Sequence, residues 1–377
     1  MDIILIHPFF DQKGGLEKSI LSIAKKFNPI IYYIVYESNK TFREFREFDM
    51  RPLPKIPLEP KFFEKKILHR EGELASIFRC LGVKFSSYDV INAHGTPAHF
   101  VANRNSRVFY YCHSPNRLIY DLFEERYKRK NIIEKTLMHL ARAFYAPLDR
   151  HLTSKIEKIA CNSPITKERL DRYVGRKDAE VIYPGIEPQE FENKSYQKYF
   201  LYTSRICRQK RFEKVIEAFK LFYSKRKDFR LVLAGNLAED ERNYFRELKD
   251  LSYGYPIEFK TNLTNEEIKE LYSNCYAGLF YAIEEDFGLV PLEYMASSKP
   301  CISINEGGPR YSVVDKETGF LINNTQEMAQ RMLYLAENEN EVEEMGKKAR
   351  EHVLKNFTIK IFLDKIEKGL KEVAKKY

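Results

Sequence analysis

Apolar residues occur along the chain in short continuous runs, and these runs predict buried strands. Parallel strands that are covered by helices on both faces are apolar throughout, whereas half-exposed strands alternate. The runs that fit this pattern are Ile3–Ile6, Ile30–Val35, Val90–Ala93, Val108–Cys112, Phe200–Thr203, Arg230–Ala234, Ile257–Phe259, Tyr276–Tyr281 and Cys301–Ile304. Both halves of the chain are therefore expected to contain a sheet.

Between these runs, apolar residues recur at spacings of three and four, which indicates helices with one buried face. One such face consists of Leu16, Ile20, Ile23, Ala24 and Phe27, and a second of Leu137, Leu140, Ala141 and Phe144. Further helices are predicted near 211–224, 240–251, 265–273 and 290–297, and three more after Asn324, the last at Ile359–Lys375. Strands that alternate with helices predict doubly wound α/β domains with parallel sheets.

A linker is predicted where proline and glycine interrupt the periodicity, at Tyr183–Pro188, and the chain stays polar through Gln197. The predicted domains are residues 1–187 and 188–357. The amphipathic C-terminal segment, 358–377, is expected to return to the first domain. A chain of 377 residues is long enough for two domains with full cores.

Charge and cysteine content narrow the function classes only slightly. Lys and Arg outnumber Asp and Glu by 63 to 54, a net charge of +9 that favours anionic partners such as nucleotides, phospholipid surfaces or nucleic acid. The six cysteines have no short spacing that would build a zinc knuckle or a redox pair. No apolar stretch approaches the roughly 18 to 20 residues that cross a bilayer, and no signal peptide is evident. We expect a cytoplasmic protein.

The segment with the most chemistry is EEDFGLVPLEYMA at 284–296, which follows a predicted strand and opens a predicted helix. Open α/β sheets bind ligands at this end of their strands. Gly288 allows a close backbone approach, and the free amides of the helix start favour a diphosphate. Glu293 is placed to accept hydrogen bonds from a ribose diol. Read alone, two glutamates at this spacing also fit a solvated acidic loop.

Glu285 and Glu293 enclose seven residues, and the whole segment resembles the EX7E motif of retaining family 4 glycosyltransferases. The resemblance implies that Glu285 contacts hydroxyls of the donor sugar and that Glu293 contacts the nucleotide ribose. It also implies donor contacts for the residues between them, Phe287, Gly288 and Leu289.

A basic stretch, YTSRICRQKR at 202–211, follows the first strand of the second half. Two cations on a strand-to-helix loop can converge on a diphosphate, although a solvated basic loop would look the same. The stretch is similar to the family's S-R-x3-K-R/G sequence, which implies phosphate contacts for Arg205 and Lys210. Arg208 and Arg211 are interpreted as surface charges.

Two segments of the first half resemble other motifs of the family. Gly14 and Gly15 open a helix, which alone is common turn chemistry, but GGLE resembles the G-G-x-E loop whose amides face the donor phosphate. His113 ends a predicted strand and resembles the family's H-[TS]-P segment, which implies a catalytic position over the reacting sugar carbon. His94 also ends a strand, where it is either an acceptor-side residue or a structural one.

Further matches follow in family order: the stretch from Asn162-Ser163 to Val181–Ile186, then GGPR at 307–310 and TGFL at 318–321. Two departures concern donor-site details. Tyr311 stands where many members have glutamate, and Asn236 follows Gly235 where a second glycine is frequent.

The resemblance implies the GT-B architecture: two facing Rossmann-like domains, the C-terminal one holding the donor and the N-terminal one facing the acceptor. It implies hexose transfer with retention, without a required cofactor or metal ion. GDP-mannose is the first donor hypothesis and a UDP-sugar the second, because the segments around His113 and Asn162 most resemble mannosyltransferase-like members. The expected acceptor is a glycan or a lipid-linked sugar.

The segment from Arg117 to Lys155 is basic and apolar by turns, with cations at Arg126, Lys128, Arg129, Lys130, Lys135, Arg142 and Arg150. It fits an anionic membrane surface, which would place the protein peripherally on the cytoplasmic face, and it equally fits a solvated helical face.

Other classes stay open from the sequence. A nucleotide-sugar epimerase or a phosphorylase can share this architecture, although no lysine for pyridoxal phosphate is apparent. A glycoside hydrolase also uses paired carboxylates. A non-enzymatic binder of anionic ligands would explain the charge but not the glutamates, and no nucleic-acid partner is expected.

Overall fold

The computed structural model describes residues 1–57, 59–64, 72–128, 130–237, 241–283 and 285–376, apart from the side chains of Phe62, Glu125 and Arg126. It divides into two compact units. The first unit comprises Met1–Tyr183 and Phe362–Tyr377, and the second comprises Pro184–Ile361. The break at Tyr183 falls just before the boundary at 187 that the sequence predicted.

The first unit contains a seven-stranded parallel sheet in its described part, in the order β5-β3-β1-β6-β7-β8-β9, and a small pair, β2-β4. The strands are β1 (Ile3–Ile6), β2 (Phe9–Phe10), β3 (Ile30–Tyr33), β4 (Val35–Tyr36), β5 (Met50–Pro52), β6 (Val90–His94), β7 (Val108–Cys112), β8 (Lys158–Cys161) and β9 (Glu180–Val181). The helices are α1 (Gly15–Phe27), α2 (Glu73–Gly82), α3 (Phe123–Lys128), α4 (Ile132–Ser154) and α5 (Pro164–Arg169).

The second unit contains a six-stranded parallel sheet in its described part, in the order β12-β11-β10-β13-β14-β15. The strands are β10 (Tyr199–Thr203), β11 (Arg230–Ala234), β12 (Ile257–Lys260), β13 (Ala277–Phe280), β14 (Cys301–Ile304) and β15 (Gly319–Ile322). The helices are α6 (Phe212–Tyr223), α7 (Arg242–Ser252), α8 (Asn265–Asn274), α9 (Leu289–Ala296), α10 (Thr325–Glu337) and α11 (Glu339–Asn356), and α12 (Ile359–Ala374) follows.

Both sheets have the strand order of a dinucleotide-binding fold. In each, the first strand lies between two neighbours from which the chain runs outward in opposite directions, β3 and β6 beside β1, and β11 and β13 beside β10. A crevice forms outside the carboxyl ends of the strands where the order reverses, and ligands bind there. This topology marks the loops after β1 and β6 in the first unit, and those after β10 and β13 in the second.

The C-terminal helix completes the core of the first unit. Phe362, Ile366 and Leu370 of α12 are buried in one cluster with Phe109 and Tyr111 of β7. A Cβ atom on Gly369 would lie 2.8 Å from the Phe109 ring, so the glycine permits this close approach. The apolar face of α12 therefore packs against the first sheet.

The predicted strands appear with small changes of their ends, and one of them is divided. The run Ile30–Val35 forms β3 and β4, because the Pro8 carbonyl accepts hydrogen bonds from the amides of both Ile34 and Val35, at 2.9 and 3.0 Å. β4 then pairs with β2 instead of continuing the main sheet. The helix predicted at 240–251 is observed as α7, and residue 240 lies outside the described residues.

The second predicted helical face is wrong as a core face. Leu137, Leu140 and Phe144 of α4 are 55%, 61% and 59% exposed. The buried positions of this helix are instead Tyr145, Asp149, Leu152 and Thr153, near its C-terminal end. There Asp149 binds His99 at 2.6 Å and the Tyr120 hydroxyl at 2.7 Å. Helical spacing alone does not say which of two faces meets the core.

Candidate active site

The two loops at the switch point of the second unit are bound to each other. The amide of Ile283, after β13, donates to the Gln209 carbonyl, after β10, at 3.0 Å. The Lys210 ammonium forms an ion pair with the Glu285 carboxylate, and both groups are partly buried. Sequence analysis predicted Lys210 and Glu285 as donor-binding residues on separate motifs, and the structure brings their side chains into contact.

The loop before α9 rests on a second glycine-rich loop. Gly288 has φ of +83°, a backbone conformation that side chains rarely adopt, and it precedes Leu289, the first residue of α9. The Gly308 amide donates to the Glu285 carbonyl at 2.6 Å. A Cβ atom on Gly308 would lie 2.2 Å from Phe287 Cα, so only glycine fits this contact. The GGPR stretch therefore supports the segment that carries Glu285, Phe287 and Gly288.

Glu293 lies one turn into α9, where its carboxylate already has a hydroxyl partner. The Tyr272 hydroxyl donates to Glu293 Oε2 at 2.7 Å and lies 2.8 Å from Thr203 Oγ1, at the end of β10. Burial and the nearby Glu293 carboxylate raise the pKa of Tyr272 well above its usual value, so the hydroxyl keeps its proton. This arrangement fixes one carboxylate oxygen of Glu293.

The loop after β10 also depends on close packing at Gly235, which has φ of +150°. A Cβ atom there would lie 1.7 Å from the Ser204 carbonyl oxygen, directly before Arg205. The side chain of Arg205 is exposed. Asn236, the residue that departs from the family pattern, accepts a hydrogen bond from the Ile206 amide on its carbonyl at 2.9 Å.

The two cations that the sequence left as surface charges differ in the structure. Arg208 is exposed and forms an ion pair with Glu247 at 2.7 Å, as expected for a surface charge. Arg211 is only 25% exposed and binds the Glu306 carboxylate at 3.1 Å, beside the GGPR loop. Arg211 is thus a surface charge that is partly covered by the GGPR loop.

In the first unit, histidines gather at the switch point between β1 and β6. His94 Nδ1 lies 3.2 Å from His113 Nε2, and His94 Nε2 lies 2.8 Å from Asn92 Oδ1. His7, after β1, places its Nδ1 3.3 Å from the His94 carbonyl. Burial, with the neighbouring histidines adding to it, lowers the pKa of His94 well below its usual value and that of His113 to about 3. Both rings are neutral near pH 7.

The double glycine precedes a buried carboxylate. Gly14 is extended and Gly15 is the first residue of α1. A Cβ atom on Gly14 would lie 2.7 Å from Glu17 Oε2, and Glu17 is only 1% exposed. The Glu17 carboxylate lies 3.7 Å from His7 Nε2. The glycine thus leaves room for a glutamate that turns back toward the start of its own helix.

The structure therefore collects the predicted residues in two groups. Arg205, Lys210, Glu285, Phe287, Gly288, Leu289 and Glu293 surround the switch point of the second unit, and Gly14, Gly15, His94 and His113 lie at that of the first. Residues that sequence reasoning missed include Tyr272, Asn92 and His7. His7 directly follows β1, so its position at a strand end was a usable signal. Tyr272 lies inside a helix, where no sequence signal points to a functional role.

The contact between Tyr272 and Glu293 leads to a testable prediction. If Glu293 binds the ribose of a nucleotide-sugar donor, as the family resemblance implies, we expect Tyr272→Phe to raise KM for that donor about ten-fold, because a hydrogen bond to a charged group is worth about 1.5 kcal/mol or more. The matched control is Tyr276→Phe, which removes a buried hydrogen bond to the Leu335 carbonyl elsewhere in the same unit. Steady-state kinetics give KM for both variants, and melting curves show whether either variant is destabilised in general. An equal KM in the two variants would show that the Tyr272 hydroxyl has no role in donor binding.

Two family models match consecutive parts of the chain. The model described as Glycosyltransferase Family 4 matches residues 13–190, and the model described as Glycosyl transferases group 1 matches residues 186–352. The first covers most of the first unit and the second covers most of the other.

Several known proteins are similar over long stretches. The alpha-1,3/1,6-mannosyltransferase ALG2 of Dictyostelium discoideum is 25% identical over 99% of this chain and 98% of its own length. The trehalose synthase of Pyrococcus horikoshii is 28% identical over 74% of this chain and 67% of its own length. The Anabaena protein Alr3699/HepE, crystallised in complex with UDP-glucose, has a TM-score of 0.75 at 17% identity and covers 99% of this chain and 100% of its own.

Proposed function

We propose that this chain, which belongs to glycosyltransferase family 4, transfers mannose from GDP-mannose to a hydroxyl of a glycan or lipid-linked acceptor, with retention at the anomeric carbon. That it is a glycosyltransferase of GT-B fold follows from the two family models and from the two parallel-sheet units. The observation that carries the proposal is the cluster of Lys210, Glu285 and Glu293 around the switch point of the second unit. Mannose is supported by the ALG2 mannosyltransferase of Dictyostelium discoideum, which aligns over 99% of this chain.

Each residue of this cluster has a proposed task. Lys210 and Arg205 contact the donor diphosphate together with the free amides at the start of α9, since cations and helix N-termini favour phosphates. Glu293, held by Tyr272, accepts hydrogen bonds from the ribose hydroxyls. Glu285 accepts them from hydroxyls of the transferred sugar.

In the proposed reaction, the acceptor oxygen forms a bond to the anomeric carbon on the face from which the diphosphate leaves. The bond between that carbon and the phosphate oxygen breaks, and its electron pair goes to the nucleoside diphosphate. The acceptor hydroxyl gives its proton to the departing phosphate oxygen. Lys210 and Arg205 stabilise the negative charge that develops there, which is the usual largest contribution in such sites. We propose that His113 orients the donor sugar.

We propose that these cations take the place of a metal ion. Among the described residues, no group of three or more His, Cys, Asp and Glu side chains is arranged to hold one. The residues that contact the phosphates in this scheme are Arg205 and Lys210 instead. Turnover in excess EDTA at the rate measured with added Mg²⁺ or Mn²⁺ is the expected result, and a rate that depends on the metal would contradict this part of the proposal.

The donor base and the stereochemistry each have a direct test. Displacement of GDP-mannose by GDP at lower concentration than by UDP supports the guanine nucleotide, and a clear preference for UDP would exclude mannose from GDP-mannose as the transferred group. The UDP-glucose complex of the Anabaena protein makes the UDP-sugar the second donor candidate. Proton NMR of the first product formed shows whether the anomeric configuration of the donor is kept.

We also propose that α4 contacts an anionic phospholipid surface, at the cytoplasmic face of a membrane. Its exposed face carries Ile133, Leu137, Leu140 and Phe144, at spacings of four, three and four. Lys128 and Arg150 are exposed near its two ends. Lys135 and Arg142 lie instead over the rings of Tyr127 and Phe123. Arg129 and the side chain of Arg126 lie outside the described residues, and no described helix has the length and apolar character of a membrane span.

Co-sedimentation with phospholipid vesicles tests this surface. We expect binding to vesicles with anionic lipid and its loss in the Leu140→Asp/Phe144→Asp double variant. The two new carboxylates are charged and cannot enter the apolar part of the lipid layer. The matched control is Leu221→Asp, an exposed leucine of the second unit. Equal binding to neutral and anionic vesicles, or dimerisation that the double variant abolishes, would overturn the membrane proposal.

A further inference from the structure

His113 is held in place from two sides. Its backbone carbonyl accepts a hydrogen bond from Asn162 Nδ2 at 2.8 Å, and its ring Nε2 lies 3.2 Å from His94 Nδ1. The Tyr111 ring meets the His113 ring edge-on at 4.8 Å. His94 itself is fully buried, and its other nitrogen, Nε2, lies 2.8 Å from Asn92 Oδ1. Asn92, His94 and His113 therefore form a linear chain of contacts.

The direction of the hydrogen bonds in this chain follows from Asn92. Its amide nitrogen lies 3.3 Å from the Phe109 carbonyl, so the nitrogen must be the atom on that side, since two oxygens there would repel each other. Asn92 Oδ1 then faces His94 and accepts the proton of Nε2. In a neutral imidazole only one nitrogen carries a proton, so His94 Nδ1 is an acceptor. His113 Nε2 is consequently the donor.

We propose that Asn92 and His94 are positioning residues that hold His113 in the tautomer with a proton on Nε2, and so leave His113 Nδ1 as a hydrogen-bond acceptor for a sugar hydroxyl. The group presented is a neutral acceptor, not a cation. An unprotonated Nδ1 can accept a hydrogen bond from a hydroxyl, and every hexose carries hydroxyls. It cannot donate a hydrogen bond to a phosphate oxygen. This inference rests on the proposed function only for the identity of the ligand.

The surroundings agree with a neutral chain. The groups that face His94 and His113 are the ring of His7, whose Nδ1 lies 3.3 Å from the His94 carbonyl, and the Tyr111 ring. Tyr111 donates its hydroxyl proton to the Ile182 carbonyl at 2.7 Å, and burial keeps its pKa well above the usual value. Glu17 lies behind His7 at 3.7 Å from its Nε2. Neither His94 nor His113 has a contact with a carboxylate among these neighbours.

Kinetics of two substitutions at His94 test the proposed role. We expect His94→Phe, which keeps a ring but removes the acceptor, to lower kcat about 10- to 100-fold, by analogy with the loss seen when the hydrogen-bond partner of a metal-binding histidine is removed. KM for the donor should change by less than about three-fold. His94→Gln places an amide oxygen near His113 Nε2 and should restore most of kcat. Equal losses in both variants, matched by equal losses of melting temperature, would mean that His94 is only structural.

NMR separates this inference from the proposed function. In the full-length protein with ¹⁵N-labelled histidine, His113 should show a protonated Nε2 and an unprotonated Nδ1 between pH 6 and 9, whether or not a sugar is transferred. A mixture of tautomers is expected in His94→Phe. A protonated Nδ1 in the wild-type protein would overturn the inference. If the tautomer is as expected but His113→Ala has full activity, the assignment of His113 to the site is wrong instead.

Discussion

Replacing Lys210 by alanine is expected to lower kcat/KM by roughly 100- to 1,000-fold, the usual loss when one charge-stabilising donor is removed from an active site. The Lys210 ammonium has two tasks in the proposed reaction. It neutralises the leaving diphosphate, and its ion pair with Glu285 holds that carboxylate toward the donor. The substitution removes both effects. We expect a small change of melting temperature, since an ion pair that water reaches contributes little to stability.

Arg208→Ala is the matched control, because Arg208 is a cation of the same loop that binds Glu247 at the surface. Its kcat/KM should equal that of the wild-type protein. Glu285→Gln keeps the shape of the side chain but removes the ion pair with Lys210, and we expect a loss comparable to that of Lys210→Ala. If both Glu285→Gln and Lys210→Ala turned over a proven donor at near wild-type rates, this site would be the wrong one.

Gly308→Ala is expected to lower kcat/KM for the donor about 100-fold, although Gly308 carries no functional side chain. The new Cβ atom would lie 2.2 Å from Phe287 Cα and 2.6 Å from the Asp286 carbonyl oxygen. Both neighbours are backbone atoms, so the loop that carries Glu285 and Gly288 must shift by about 1 Å. A displacement of this size between reacting groups can lower the rate about 100-fold. The measurement is the steady-state rate at varied donor concentration.

The control for this glycine is Gly254→Ala. Gly254 has φ of +80° and no atom within 4 Å of a built Cβ, so alanine there strains only the backbone. That strain costs about 1 to 2 kcal/mol of stability. The kinetics of Gly254→Ala should be unchanged. If Gly308→Ala lost stability but kept its kcat/KM, the GGPR loop would have no part in positioning the donor loop.

Much of the fold could be predicted because the strands are buried on both faces. Val108–Cys112 is a continuous apolar run, Leu231–Ala234 is another that follows the exposed Arg230, and the predicted ends agree with the observed strands. The edge strands β5 and β9 and the inner strand β8 were not predicted, although the edge strand β12 was. Met50–Pro52 and Glu180–Val181 contain too few apolar residues, and their place in the sheet comes from neighbours distant in the chain.

The face of α4 could not be predicted for a related reason. The spacing of Leu137, Leu140 and Phe144 matches that of a core face, but the core of the unit is reached through Tyr145 and Asp149. The polar contacts of Asp149 with His99 and Tyr120 hold this face toward the core. Contacts between residues that are distant in sequence do not appear as helical periodicity.

The candidate site was predictable where a motif follows a strand, as at Lys210, Glu285 and His113. The supporting contacts were not, because they join segments far apart in sequence: Tyr272 to Glu293, Gly308 to Phe287, and Asn92 through His94 to His113. Motif spacing predicts which groups contact a ligand. It does not identify the residues that orient them.

The most direct test of the central claim is a calorimetric titration of GDP-mannose into the full-length protein in EDTA, beside the variant Glu293→Gln. The account predicts saturable binding at one site, tighter than that of a UDP-sugar and clearly weaker in the variant, because Glu293 is proposed to hold the ribose. Absence of binding by GDP-mannose and by UDP-sugars alike, or binding that Glu293→Gln leaves unchanged, would contradict a donor site at the switch point of the second unit.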